Sequence, residues 1–487
     1  MPIVANLSTA DYIRENELNI GFALLPLANH VNYIMFFDKS KEVQKLKKEL
    51  NYFDVFPKVV PANRASTITV KCLENYFKPK DGKINVKVIP MTELIKVFLN
   101  PPEAQGYVEN GVIQITYHFE SEQEYRLKIF LNDDEWALLS VYAVEEDLYE
   151  LIPLKGETHA HSNISDGWES PEALSAYYRK AGFDFMVISD HRKYEGAHIA
   201  REFYSGIDLG LEIVSGEEIH APKNPVHIVN FGGDFCVTDL IREDESRYFA
   251  EVQEIMDTLH TLAFKDDNEK YVYASCLWVY SKIKEANGLS IFAHPHALVN
   301  GFDAYNVPDS LMQMKFKNRH FDALELVGGR PPAEINMQLA FYHTACKNGY
   351  GDFPIVGGSD SHGVLQEALP ISALKKTGVY RPHGFGEFYT IVFAKENATK
   401  EIISSIKKGY SVAVEQYKGT APRVHGDYRL VSYALFLLSE YFPLHHDICY
   451  EEGRLMLQMA YGGSESAAVE LNAKAGQVTE IVRKYIR

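Results

Sequence analysis

Apolar and polar positions alternate in short runs over the first 150 residues. The segments STITVKCL, KINVKVIP, VIQITYHF, YRLKIFL and WALLSVYAV are rich in β-branched and aromatic residues and are separated by Pro, Gly, Asn and Asp. Period-two patterning bounded by turn residues predicts strands, so residues 1–150 are expected to form an all-β, sandwich-like domain. Past residue 150 the rhythm changes. Short apolar runs now alternate with helical patterns such as SPEALSAYYRKAGF, in which Ser170 can cap, Pro171 suits the first turn and Gly182 suits the stop. Seven strand candidates follow this rhythm: LIPLKGETHAH, FDFMVISDH, LEIVSGEEI, VHIVNFGG, LSIFAHPH, DALELVGG and FPIVGGSDSH. A further strand-helix unit, YTIVFAKENATKEIISSIKKGYSVAVE, completes an α/β domain over 151–418. Residues 419–487 read as a C-terminal helical extension with an apolar LVSYALFLL face.

Composition narrows the partners. A formal charge of −17 without a dense run of Lys and Arg argues against nucleic acid and against an anionic membrane surface. The N-terminus lacks the basic and apolar regions of a signal peptide, and LVSYALFLLSEYF is too short and too interrupted to span a bilayer. Five scattered cysteines, never in CxxC spacing, fit a reducing compartment, so the cytoplasm is expected. Oligomeric state is not legible.

The candidate chemistry lies at the strand ends. In GETHAHSNISDG, His159 and His161 stand two residues apart on a strand and so face one side, with Asp166 on the following turn. His191, Glu218, His294, Asp360 and His362 close other strands. His227 instead precedes its strand: either that strand runs the other way or the residue sits on the incoming loop. Loops leaving the C-terminal ends of barrel strands converge on one face. Nine N and O donors, His159, His161, Asp166, His191, Glu218, His227, His294, Asp360 and His362, exceed one tetrahedral ion and suit two or three divalent ions, Zn, Mn or Fe. Hydrolysis follows from such a site.

ETHAHSNISDG, ISDH, GEEI, VHIVNFG, FAHPH and GGSDSH, in this order, resemble the motifs of the PHP (polymerase and histidinol phosphatase) superfamily over residues 151–418. The resemblance implies a distorted (β/α)7 barrel with a di- or trinuclear metal centre and phosphoesterase activity on a small phosphorylated molecule. It implies a first ion on His159, His161, Glu218 and Asp360. A second would sit on Glu218, His227 and His294, and a third on Asp166, His191 and His362. Glu157 stands where the family usually has Asp, and Glu217 is the fallback for Glu218.

Other residues carry weaker signals. His296 in AHPH is a candidate to touch substrate or donate a proton, and Arg192, Lys193 and Arg330 are candidates to neutralise a phosphate. Glu325 ends a strand on the same side and is a candidate support. HHD at 445–447 reads as a solvated helix flank. Two other functions fit the same residues: hydrolysis of an amide, carbamate or ester carbonyl, and a non-catalytic ligand-binding or regulatory module.

Overall fold

The computed structural model describes residues 20–24, 34–38, 50, 52–74, 78–131, 134–299, 304–351, 353–364, 385–417 and 419–487. Strands β1 (Ile20–Leu24) and β2 (Ile34–Asp38) form an antiparallel pair. The next eight form one sheet: β3 (Phe53–Phe56), β4 (Val59–Pro61), β5 (Arg64–Cys72), β6 (Gly82–Pro90), β7 (Glu103–Glu109), β8 (Val112–Phe119), β9 (Gln123–Leu131) and β10 (Asp134–Val144). Their order is β3-β5-β8-β7-β6-β9-β10-β4. The two edge strands, β3 and β4, are neighbours in the chain, so the sheet curls until its edges approach. Alternate residues such as Ile68, Val86, Ile115, Leu127 and Val141 then fill one shared core. The sandwich expectation is corrected here. Alternation reveals which face is buried, but not whether the opposing layer is a second sheet or the same one returning.

The second sheet orders its strands β19-β18-β15-β14-β13-β12-β11-β20-β21-β22. These are β11 (Ile152–Glu157), β12 (Phe185–Ile188), β13 (Glu212–His220), β14 (His227–Phe231), β15 (Leu289–Phe292), β18 (Ala323–Gly328), β19 (Ile355–Gly358), β20 (Phe388–Ala394), β21 (Ser411–Glu415) and β22 (Arg423–His425). A small ribbon of β16 (Leu298–Val299) and β17 (Ala304–Tyr305) follows β15. From β11 to β19 the pairing is parallel except at β14, which runs against both neighbours. A parallel bridge between Ala160 and Ser361 joins the ends of β11 and β19, so this sheet is barrel-like. The reversed β14 is a departure from a strict (β/α)7 repeat. Helix Pro171–Lys180 has Pro171 in its first turn and Gly182 after it at φ 86°, as the sequence indicates; Ser170 holds the N-cap position but its side chain makes no capping bond.

Since β22 still belongs to the barrel sheet, the helical extension starts later than 419, with helix Tyr428–Glu440. Its Tyr433 ring lies 5.1 Å from Tyr142 of β10 and 5.3 Å from Phe393 of β20. Arg429 reaches both Glu122 and Asp147, and Lys58, almost fully buried, sits 3.1 Å from Glu440. Lys484 pairs with Asp54 at 2.7 Å. The extension therefore holds the two sheets together. The solvated reading of HHD holds for His446 and Asp447, which are exposed, but not for His445, which is buried on helix Phe442–Gly462 with Nε2 2.6 Å from Asp184. Among the described residues no helix is long and apolar enough to cross a membrane.

Candidate metal centre

The first strand end is built to be rigid. Glu157, wholly buried, accepts hydrogen bonds from the backbone N–H groups of Thr158, His159 and Ser359, each at 2.9 Å. Burial pushes its carboxyl up to about 7 despite these donors. Asp360 N–H donates to the His159 carbonyl and His161 N–H to the Ser361 carbonyl, both at 2.9 Å, so β11 and β19 deliver their side chains in fixed register. Asp190 shapes the turn that follows. It accepts from Ser162 N at 2.8 Å, Ser162 Oγ at 2.7 Å and Ser165 Oγ at 2.6 Å. Gly167 then packs against the His161 carbonyl, where a Cβ would come within 2.4 Å of the oxygen. This brings Asp166 to 3.5 Å from His191 and 3.3 Å from His362.

Strand alternation separates the two glutamates of GEEI. Glu217 turns away and caps the start of helix Val237–Glu243, accepting from Val237 N at 2.6 Å and Thr238 N at 3.2 Å. Glu218 faces the barrel mouth, and six imidazoles surround it. Its Oε2 lies 2.7 Å from His191 Nδ1 and 3.5 Å from the Nε2 atoms of His159, His161 and His220. Its Oε1 lies 2.8 Å from His227 Nδ1 and 3.2 Å from His294 Nε2. The antiparallel β14 answers the question of His227: the start of that strand lies beside the end of β15. Asp360 completes the group, 3.1 Å from His161 Nε2 and 3.4 Å from His159 Nε2. His294 and Asp360 have φ of 23° and 49°, conformations that non-glycine residues adopt at a cost and that concentrate at functional sites.

The donor set fits divalent cations. Glu218 Oε2 and the ring atoms His159 Nε2, His191 Nδ1, His220 Nε2 and His227 Nδ1 are buried with no hydrogen-bond partner, although they crowd one another. Donor atoms that approach without hydrogen-bond geometry are aimed at shared points between them. The other nitrogen of His159, Nδ1, bonds Glu325 at 2.8 Å, which fixes the ring and leaves Nε2 for the centre. Burial and the neighbouring His362 and His191 hold His161 down to about 3, so it stays a neutral, ligand-competent imidazole. For Glu218, burial opposes the charge, but His227, His191 and His159 outweigh it and hold the carboxyl well below the usual range. Three groups of donors lie close enough to hold an ion: His159, Glu218, His294 and Asp360; His161, Asp166, His191 and His362; and His191, Glu218 and His220.

Neither a protein-family model nor a curated protein matches the chain. Solved structures similar to it include PHP-like phosphoesterases. A two-domain protein from Bacteroides vulgatus ATCC 8482, containing a predicted PHP-like metal-dependent phosphoesterase, is 17% identical, with 60% of this chain and 71% of that one covered at a TM-score of 0.38. A protein from Bifidobacterium adolescentis ATCC 15703 assigned as a metal-dependent phosphoesterase is 20% identical, covering 48% and 91% at 0.31. An amidohydrolase from Chromobacterium violaceum is 16% identical, covering 43% and 87% at 0.28.

All nine residues expected as ligands gather at one end of the barrel-like sheet. His294 stands close to His159 and Asp360, and His161 to Asp166, His191 and His362; His161 also lies 3.1 Å from Asp360 and 3.5 Å from Glu218, the set the resemblance implies for a first ion. His220 was missed. Its signal was present, because it stands two residues beyond Glu218 on the same strand. Arg330 approaches Asp360, with Nη1 3.7 Å from Oδ2, while Nε is held by Glu334 at 3.0 Å. Arg192 and Lys193 are exposed, and Lys193 lies 3.9 Å from Glu195. His296 is buried between the rings of Tyr305 and Phe341, at centroid distances of 5.4 and 5.8 Å, and burial lowers its pKa.

Proposed function

We propose that the chain is a PHP-type, metal-dependent phosphoesterase acting on a small phosphorylated molecule. The observation that carries this reading is the convergence of six imidazoles on the buried carboxylate of Glu218, four of them through ring nitrogens that lack hydrogen-bond partners, with Asp360 beside them. Divalent ions bound there would supply an activated water as nucleophile and withdraw charge from the phosphoryl oxygens. His159, Glu218, His294 and Asp360 would hold one ion, and His161, Asp166, His191 and His362 another. Glu325 orients His159 through its Nδ1. Arg330 supports a phosphate rather than a carbonyl substrate. Its guanidinium stands at the edge of the ligand cluster, partly exposed and steadied by Glu334, where it can pair with a phosphoryl oxygen.

The test is release of phosphate or alcohol from a panel of phosphomonoesters and phosphodiesters by Zn- or Mn-loaded protein. Turnover abolished by a chelator and restored by metal is expected, and Arg330→Ala should raise KM about tenfold or more. Metal-loaded protein that cleaves amides or carboxylic esters but no phosphoester would overturn the phosphoesterase reading in favour of carbonyl hydrolysis. Metal binding with no turnover of either class would favour a binding module.

A further inference from the structure

We propose that His220 is a metal ligand in its own right, completing with Glu218 and His191 an ion position on the β13–β14 hairpin. The inference rests on the metal-centre reading above. His220 and Glu218 are two residues apart on β13, so both side chains leave the same face of the strand. Backbone register pairs His220 directly with His227 across the hairpin, and the two rings stack at 3.8 Å between centroids and 16° between planes. Opposite residues of an antiparallel pair are held close by the ladder itself. The hairpin therefore presents both imidazoles beside one carboxylate without help from the rest of the fold.

The separation of His220 from Glu218 is that of two donors on a shared ion. Donors bound at 2.0–2.2 Å in tetrahedral arrangement lie about 3.4 Å from one another. His220 Nε2 lies 3.5 Å from Glu218 Oε2, and both atoms are buried and without a hydrogen bond. His191 stands on the third side, its ring edge-on to His220 at 4.5 Å; its Nδ1, 2.7 Å from the same oxygen, lies closer than two donors of one tetrahedral ion and would move apart on binding. Stacking on His227 alone would be met by any flat ring. An apolar ring would also avoid an unpaired buried nitrogen, which costs about 1–3 kcal/mol. A nitrogen turned towards a carboxylate but outside hydrogen-bond geometry is accounted for by a cation between them. His191 presents its Nε2 to Asp166 at 3.5 Å, between this position and the one formed with His161 and His362; to serve both at once it would act as an imidazolate, its ring proton given up to solvent when the second ion binds.

The experiment loads full-length wild type, His220→Ala and His220→Cys with Co2+ and measures bound cobalt by elemental analysis, affinity by chelator competition, and the visible and near-ultraviolet spectrum. His220→Ala should lose one equivalent of cobalt, or bind its weakest ion at least about tenfold less tightly. His220→Cys should regain that ion and add a thiolate-to-cobalt charge-transfer band absent from wild type, a signature that a packing role would not produce. If both variants melt near the wild-type temperature, cobalt content and affinity are unchanged in His220→Ala, and no new band appears in His220→Cys, the proposal is overturned and the metal centre stands. If wild type itself binds no cobalt, the metal-centre reading fails and this proposal with it.

Discussion

A carboxylate ringed by imidazoles decides the chemistry at the scale of single residues. Replacing Glu218 by Gln keeps the shape and removes the charge that the surrounding donors share with any bound ion. Glu218→Gln should therefore lose at least one metal equivalent by elemental analysis and at least about a hundredfold in hydrolysis; full metal content in this variant would refute its central position. Glu157 acts on the frame instead. Its Oε1 serves three backbone N–H groups at the junction of β11 and β19. Glu157→Ala would leave them unsatisfied at about 1–3 kcal/mol each, so chemical denaturation should give a loss of at least about 3 kcal/mol. Glu157→Gln, which retains an acceptor oxygen, should lose much less. The clustered donor residues were legible because His and Asp at strand ends are hard to explain by packing. His220 escaped notice although the rule that paired His159 with His161 applies equally to Glu218 and His220. Which nitrogen faces which oxygen depends on ring orientation, and that is set by partners such as Glu325, far away in sequence.

At the scale of elements, the turn after His161 shows how a loop places a ligand. Gly167 has only backbone atoms of His161 and Ser162 as its nearest neighbours, and a backbone cannot yield as a flexible side chain can. Gly167→Ala should open the turn, displace Asp166 and cost about 1–3 kcal/mol. Metal analysis should then find the ion of His161, Asp166, His191 and His362 depleted while the far-ultraviolet circular dichroism is retained; unchanged metal content would contradict the assignment. The strands themselves were largely readable from their period. Their direction was not, because β14 is about as apolar and as short as β12 and β15 and differs from them in which way it runs. The curl of the N-terminal sheet was hidden for a related reason: strand order arises from long-range pairing, as when β4 joins β10 rather than β3.

At the scale of the whole molecule, the C-terminal helices that link the two sheets are fastened to the barrel sheet by a buried polar cluster. Burial disfavours protonation of His445, but Asp184 and Cys449 outweigh it and hold its pKa up to about 10, above the ordinary value of 6.5. A raised folded-state pKa stabilises fully below the unfolded value and ceases to do so as pH climbs through the folded one. The melting-temperature gap between wild type and His445→Gln should thus be widest near about pH 6 and narrow towards about pH 10; a gap that widens with pH would contradict the pairing. His445→Ala removes one partner of Asp184, which keeps Arg179 at 3.6 Å and the Lys155 N–H at 2.9 Å, and should cost about 1–3 kcal/mol near neutral pH. The reversal of β14 also bears on the order of assembly. His161 and Asp360 are 199 residues apart and meet only when the barrel closes. Glu218, His220 and His227 lie on one hairpin, whose pairing needs only local contacts and forms within microseconds. Metal present during refolding would therefore meet this part of the centre first, and should speed the formation of native structure; a refolding rate indifferent to metal would mean that all the ligands come together in the final step.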